Sequence, residues 1–406
     1  MAIGLTTPKN LLAIEGIRLG VAAAGIRYPD RNDLVLMEIA EGSQCAAVFT
    51  KNAFCAAPVV VCRQHLATSA PRFLVINSGN ANAGLGEAGM AASRESCAAV
   101  ANLGDCNAEQ VLPFSTGVIG ETFPTQTLIN GLPAAHSGLD ANNWLPAAEA
   151  IMTTDTIAKA ISEQVSIGGH TITITGMAKG SGMIRPDMAT MLAYITTDAN
   201  VTHDVLDSCL RQAVDNSFNR ITVDGDTSTN DACVLIATAK AGNDCITDIN
   251  SAQAKDFFAA VARVSQHLSE SIIRDAEGVT RLMTIVVEQG KNAAECDAVA
   301  FTVAHSPLVK TALFAGDPNW GRILAAVGRA GVAELDVEKI HIYLDDVCIV
   351  QNGGRDADYT EEAGQAVMEQ EEITVTIKLG RGDITTRVQT SDLSYDYVKI
   401  NAEYRS

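Results

Sequence analysis

The sequence predicts a mixed fold, α/β or α+β, in which sheets and helices interleave. Three observations lead there. Short runs of β-branched and aromatic residues are bounded by turn residues. Between them lie alanine-rich or amphipathic stretches with helical spacing. The 406 residues are 47% hydrophobic and 19% charged, which suits a large buried core and length for two or three domains or lobes. The strict strand-helix alternation of a doubly wound sheet is missing.

In the first third, DLVLMEIA, CAAVFT, APVVVC and FLVIN read as strands. A helix is expected over about residues 86–101, with Met90, Ser93 and Cys97 at helical spacing. Downstream, VTHDVLDSCLRQAVDNS places Val205, Leu206, Cys209, Leu210 and Val214 on one face, so an amphipathic helix starts at Thr202 or Asp204. AQAKDFFAAVARVSQHL reads as helix and RLMTIVVEQ as strand. A long helical region follows to Phe314, and KIHIYLDDVCIV and EITVTIKLG read as strands.

No internal repeat, low-complexity tract or Pro/Ser-rich linker marks a domain boundary. Composition suggests two soft divisions, a Gly/Met stretch before Thr190 and the segment 315–331. The first is expected to be a processing boundary inside a packed unit.

Twenty-nine basic against 48 acidic residues make a net charge of -19, and no Lys/Arg-rich run offsets it. That excludes nucleic acid and anionic membrane as expected partners. MAIGLTTPKN lacks an apolar signal-peptide core, and no stretch approaches the ~20 apolar residues of a membrane span, so a cytoplasmic location is expected. The ten cysteines contain no C-x-x-C pair and no two histidines have metal-ligand spacing, so no metal is expected and the cysteines read as small hydrophobes.

Two motifs resemble ligand loops and fail on detail. GLGEAG at Gly84 to Gly89 matches a dinucleotide fingerprint, but SGNANA separates it from its strand and no second β-α-β unit follows. A helix-start loop is the better reading. DGDTSTND at Asp224 to Asp231 opens like a calcium loop, yet Thr229 stands where glycine is needed and Leu235 where glutamate is needed.

KGSGMIRPDMATML, Lys179 to Leu192, carries chemistry of another kind. If the Ala189-Thr190 bond breaks, Thr190 becomes an N-terminus with a hydroxyl nucleophile and an α-amine of pKa near ~8. That amine can take the hydroxyl proton during attack. STGVIG at Ser115 to Gly120 is a turn that could aim backbone N–H groups at an oxyanion, or simply join strand to helix. MTTDT at Met152 to Thr156 has N-cap composition and could start a helix. Lys179, among glycines, could be solvated or could bind a substrate carboxylate.

Taken together, VFTKNAFCAAPV, VINSGNANAG, STGVIGE, MTTDT, GMAKGSGMIRPDMATMLAYITTDA, SFNRITVDGDTSTND, DAEGVTRL, GDPNWGRILAAVGRAG and NAEYRS resemble glutamate N-acetyltransferases (ornithine acetyltransferases), the self-cleaving enzymes of arginine biosynthesis. The resemblance covers essentially the whole chain. It implies a layered α/β/β/α-type fold and cleavage between Ala189 and Thr190 into an α chain, 1–189, and a β chain, 190–406. It implies Thr190 as nucleophile, Thr116 and Gly117 as oxyanion hole, and Thr153, Lys179, Thr190, Glu277, Asn401 and Ser406 as substrate-binding residues. The implied reaction is ping-pong: acetyl passes from N-acetylornithine to Thr190 and then to glutamate. Acetyl-CoA serves some members as a co-substrate, no cofactor is required, and two α and two β chains form a heterotetramer.

This chain departs from the family pattern at three places. Ser406 stands where a threonine is frequent, Ile157-Ala158-Lys159 lacks a usual proline, and Arg185 and Asp187 put charge into the cleavage segment. The alternative function of different class is a self-processed amide hydrolase or aminopeptidase, in which water resolves the acyl-enzyme.

Overall fold

The computed structural model describes residues 2–185 and 191–404. These divide into two compact units, one formed by Thr6–Asn219 and Asp226–Ile272, the other by Met1–Leu5, Arg220–Gly225 and Ile273–Ser406.

In chain order the first unit begins with β1 (Ile17–Ala22), β2 (Leu34–Ile39), β3 (Gln44–Phe49), α1 (Ala57–Leu66), β4 (Phe73–Asn77), α2 (Glu87–Gly104) and β5 (Val111–Ser115). It continues with α3 (Thr125–Ser137), α4 (Trp144–Ala150), β6 (Lys159–Ile167), β7 (His170–Lys179), β8 (Leu192–Thr197) and α5 (His203–Asp215). A two-residue strand, β9 (Ile221–Thr222), belongs to the other unit, and β10 (Ala232–Ala237) and α6 (Ala252–Arg274) follow it.

Two sheets are built from these strands among the described residues, ordered β1-β2-β4-β5 and β3-β10-β8-β7-β6. Alternation explains how they stack. Val35, Met37 and Ile39 of β2 and Leu74 and Ile76 of β4 join Met177, Leu192, Tyr194, Val234 and Ile236 of the second sheet in one core. The intervening Leu34, Leu36, Phe73 and Val75 turn the other way and pack with Cys97, Val100, Leu128 and Leu132 of α2 and α3. Behind the second sheet, Val264 and Leu268 of α6 come against Gly176 of β7. The result is the helix-sheet-sheet-helix layering that the resemblance implied.

Two local expectations change. APVVVC is the first turn and a half of α1, not a strand. Pro58 sits in the first turn, where its missing N–H costs nothing. Val59, Val61, Cys62 and His65 are then buried, with the His65 ring hydrogen-bonded to the Val111 carbonyl at 2.7 Å, and this packing overrides the β preference of valine. MTTDT starts no helix; it is the loop between α4 and β6. GLGEAG leads into α2, as a helix-start loop should. The Thr202 reading also holds: α5 starts after it and buries Val205, Leu206, Cys209, Leu210 and Val214.

The second unit contains β11 (Leu282–Gly290), α7 (Ala293–Ala304), α8 (Pro307–Ala315), α9 (Trp320–Gly328), β12 (His341–Leu344), β13 (Val347–Gln351) and β14 (Gly354–Arg355). It closes with α10 (Glu361–Met368), β15 (Glu372–Lys378), β16 (Ile384–Ser391) and α11 (Tyr395–Ala402). Its sheet runs β14-β13-β12-β15-β11-β16-β9. The expected long helix to Phe314 is two helices, because Ser306 caps α8 through the Val309 N–H and Pro307 opens it. Nor is 315–331 a boundary, since Leu313, Ile323 and Val327 share one core with Ile285 and Val375.

In sequence, the expected division at Ala189-Thr190 falls between β7 and β8, which are adjacent strands of one sheet. β7 and β8 are antiparallel, with Lys179 opposite Leu192.

Candidate active site

Lys179, the last residue of β7, is buried and not the solvated loop lysine that its glycine neighbours allowed. Its ammonium donates to the Thr153 hydroxyl at 2.8 Å and to the Thr116 hydroxyl at 3.2 Å. Three segments far apart in sequence thus meet on one cation. Ala193 and Leu192 of β8 pair with Ala178 and Lys179, so the strand that follows Thr190 in sequence runs beside the lysine.

Thr116 leaves β5 with its N–H committed to the Asn77 carbonyl at 3.0 Å. Its hydroxyl, not its amide, is therefore the group presented to Lys179. Gly117 has φ +134°, and a Cβ there would lie 2.3 Å from the Gly79 carbonyl carbon and 2.6 Å from the Asn80 nitrogen. Only glycine fits that approach. The turn is further clamped by Asn230, whose side-chain amide donates to the Ser115 carbonyl at 2.9 Å and the Ala81 carbonyl at 2.6 Å. The calcium-like segment DGDTSTND thus works, at Asn230, as a crosslink between the STGVIG and SGNANA turns. Asn77 adds to it by accepting the Ser115 hydroxyl at 2.6 Å.

Beneath the lysine lies a carboxylate that sequence reasoning did not single out. Asp155 is buried and accepts from the Lys159 ammonium at 2.6 Å, the Gly180 N–H at 2.8 Å and the Thr153 N–H at 3.0 Å. The Lys179 ammonium stands 4.0 Å away. Burial would raise the Asp155 carboxyl, but Lys159 first, then Lys179 and the hydrogen bonds hold it well below the ordinary carboxylate range. Lys159, which occupies the segment that departs from the family pattern, is the fully buried partner of this carboxylate. The signal available in sequence was weak: an Asp and a Lys four residues apart, outside any helix.

Glu277 and Asn401 belong to the second unit. Glu277 is buried in the turn after α6, and the Asn401 side-chain amide, on α11, donates to its carboxylate at 2.7 Å. Gly278, with φ +68°, allows this, because a Cβ would sit 2.4 Å from the Tyr397 nitrogen in the first turn of α11. The Ser394 hydroxyl caps that helix and donates to the Gly278 carbonyl at 2.6 Å.

Arg185 is exposed. Asp187, Ala189, Thr190 and Ser406 lie outside the described residues, so the nucleophile and the cleavage bond rest on sequence. Cysteine offers no rival nucleophile in the core: burial pushes the Cys45 and Cys97 thiols up to about 12, and Cys209 and Cys233 higher still. Among the described residues no three His, Cys, Asp or Glu side chains form a ligand set for a metal, and no single helix is long and apolar enough to cross a membrane.

Known proteins resemble this chain over its whole length. The family model described as the ArgJ family matches residues 18–406. The arginine biosynthesis bifunctional protein ArgJ of Psychrobacter arcticus is 55% identical over 100% of both chains, and that of Pseudomonas fluorescens is 54% identical over 100% of both. A crystal structure of the arginine biosynthesis bifunctional protein ArgJ from Bacillus halodurans is 37% identical, with a TM-score of 0.50, covering 53% of this chain and 100% of that one. The chain belongs to the ArgJ family, enzymes of arginine biosynthesis.

Proposed function

We propose that this enzyme moves the acetyl group of N-acetylornithine to glutamate through an acetyl ester on Thr190, after cleaving itself between Ala189 and Thr190. The observation that carries the reading is the buried Lys179 ammonium. It is held between the Thr116 and Thr153 hydroxyls, across the ladder from Leu192, two residues beyond Thr190 in sequence.

Thr190 Oγ attacks the acetyl carbonyl carbon while the Thr190 α-amine takes the hydroxyl proton. The Thr116 hydroxyl and the Gly117 backbone stabilise the oxyanion. The C–N bond breaks as that proton passes to the ornithine nitrogen, and the acetyl ester remains. The glutamate amine then attacks the ester, the C–O bond breaks, Thr190 regains its proton and N-acetylglutamate leaves. Lys179 pairs with the α-carboxylate that both amino acids share, with Thr153 orienting it. On the family resemblance, Glu277 takes the ornithine side-chain ammonium, and Asn401 and Ser406 supply hydrogen bonds. The scheme calls for no metal or organic cofactor. That the relatives' names call them bifunctional supports acetyl-CoA as a second donor. We also assign a cytoplasmic location and an assembly of two α and two β chains.

Mass analysis of the purified protein tests the central claim. Fragments of residues 1–189 and 190–406 are expected, with Thr190→Ala giving one inactive, unbroken chain. Cleavage at another bond, or acetyl transfer by the variant, overturns it.

A further inference from the structure

The helix α11 carries Asn401, yet none of its eight residues is buried. A helix this short is marginal in water by itself, and packing of an apolar face usually holds such a helix in place. In α11 that work falls to contacts at a few named points. The Ser394 cap ties its start to the Gly278 carbonyl at 2.6 Å, and the Tyr395 ring stands edge-on to Phe314 with centroids 5.4 Å apart. Both contacts lie at the N-terminal end. Asn401 stands ~10 Å further along the axis, at ~1.5 Å per residue. A pivot of ~6° about the N-terminal end therefore moves Asn401 by ~1 Å. That is enough to lose most of its 2.7 Å hydrogen bond to Glu277.

Tyr397 supplies a contact that opposes such a pivot. Its hydroxyl donates to the Asp224 carboxylate at 3.2 Å, across 173 residues of sequence. Asp224, which opens the DGDTSTND segment, lies just past β9, and β9 runs parallel to β16, the strand that leads into α11. The helix is thus tied to the end of its own unit's sheet. Tyr397 also holds Asn401 directly, because its carbonyl accepts from the Asn401 amide nitrogen at 3.0 Å. The two partners of that nitrogen, the Glu277 carboxylate and the Tyr397 carbonyl, can only accept. They fix which end of the amide is nitrogen, and its oxygen is an acceptor beside the Glu277 carboxylate.

We propose that Asp224 and Tyr397 are positioning residues for the side-chain ammonium of ornithine. By fixing α11 they keep Asn401 on Glu277, so that the carboxylate and the amide oxygen form one set of acceptors for that ammonium. This rests on the acetyl-transfer reading, in which the ornithine ammonium meets Glu277. Selectivity follows from charge. Glutamate has no side-chain ammonium, so its binding depends little on this set of acceptors.

Calorimetry of L-ornithine and of L-glutamate on the full chain tests the proposal without turnover, with folding checked by circular dichroism. Tyr397→Phe removes one oxygen and keeps the ring, so misfolding does not obscure its result. It is expected to weaken ornithine about tenfold and glutamate less than about twofold. Asp224→Ala is expected to weaken ornithine at least as much. The double variant should match Asp224→Ala within about twofold, because the same hydrogen bond is lost only once. That cycle reads the coupling of the two side chains whatever else each one touches. On an Asn401→Ala background, Tyr397→Phe is expected to cost ornithine nothing further.

Parental ornithine affinity in Tyr397→Phe, or equal weakening of both amino acids, overturns the proposal. So does a double variant that shows the product of the two single effects, or an undiminished effect on the Asn401→Ala background. A parent that binds ornithine but makes no N-acetylglutamate from N-acetylornithine and glutamate sinks the transfer reading, while the comparison of ornithine with glutamate still decides the pair. A parent that does not bind ornithine sinks both.

Discussion

The Lys179 ammonium donates to the Thr153 hydroxyl at 2.8 Å across 26 residues of sequence. The contact joins the end of a sheet strand to a loop that has no regular structure of its own. A hydrogen bond to a charged group in a buried site contributes about 1.5–3 kcal/mol. Thr153→Val, which keeps the shape and loses the hydroxyl, is expected to lower kcat/KM about 10- to 100-fold. Lys179→Met is expected to cost more, because it removes the cation itself. Steady-state kinetics with N-acetylornithine and glutamate check both, and a Lys179→Met enzyme of near-parental efficiency would falsify the carboxylate role.

Glu277 accepts from Asn401 at 2.7 Å, and its proposed work is to meet the ornithine ammonium. Glutamate carries no such ammonium on its side chain. Glu277→Gln should therefore weaken ornithine, read as product inhibition, by about tenfold, equal to about 1.4 kcal/mol. KM for glutamate should change less. Equal shifts for both amino acids would argue that Glu277 only supports α11.

At Gly117 a methyl group has nowhere to go. Gly117→Ala should cost about 1–3 kcal/mol through strain and overlap with the Gly79 carbonyl, which lies 2.3 Å from the ideal Cβ position. That is a fall in melting temperature of about 2–4 °C per kcal/mol for a unit of this size. Activity should fall with it, since Thr116 moves too. An undisturbed melting curve contradicts the packing described for this turn.

A pH dependence should come from Lys310 in the second unit. Burial lowers its ammonium from the ordinary 10.5 to about 8, against the opposing pull of Asp392 and Asp224. The amine donates to the Thr390 hydroxyl at 2.9 Å and to the Ser391 carbonyl. Between about pH 8 and 10.5 the unfolded chain holds the proton that the folded chain has released, so this group makes stability rise with pH there. The slope is at most about 1.4 kcal/mol per pH unit for one proton. Lys310→Met should flatten the unfolding free energy measured by denaturant over that range. Parallel slopes for parent and variant would show that Lys310 keeps an ordinary proton affinity.

The readable parts of the fold were those with a clear period or a strong cap. The face of α5 from Val205 to Val214 followed from spacing, and the start of α2, at Glu87 within GLGEAG, from reading that motif as a helix-start loop. APVVVC misled because valine favours strands, while Pro58 at a helix start and burial against β5 decided otherwise. The break between α7 and α8 was also written locally, in Ser306-Pro307, but the apolar helical pattern on both sides hid it.

Sequence by itself determined the Ala189-Thr190 candidate, the glycine of the STGVIG turn, the choice of Lys179 and Thr153, and the family. Each is either a covalent neighbour relationship or a motif carried on consecutive residues. Tertiary structure alone decided that Lys179 is buried between two hydroxyls, that Asn230 crosslinks the STGVIG and SGNANA turns, and that Asp155 and Lys159 form a buried pair beneath Lys179. Charge placement of that kind depends on desolvation. Desolvation is set by which strands close over a residue, and no local run of sequence specifies that.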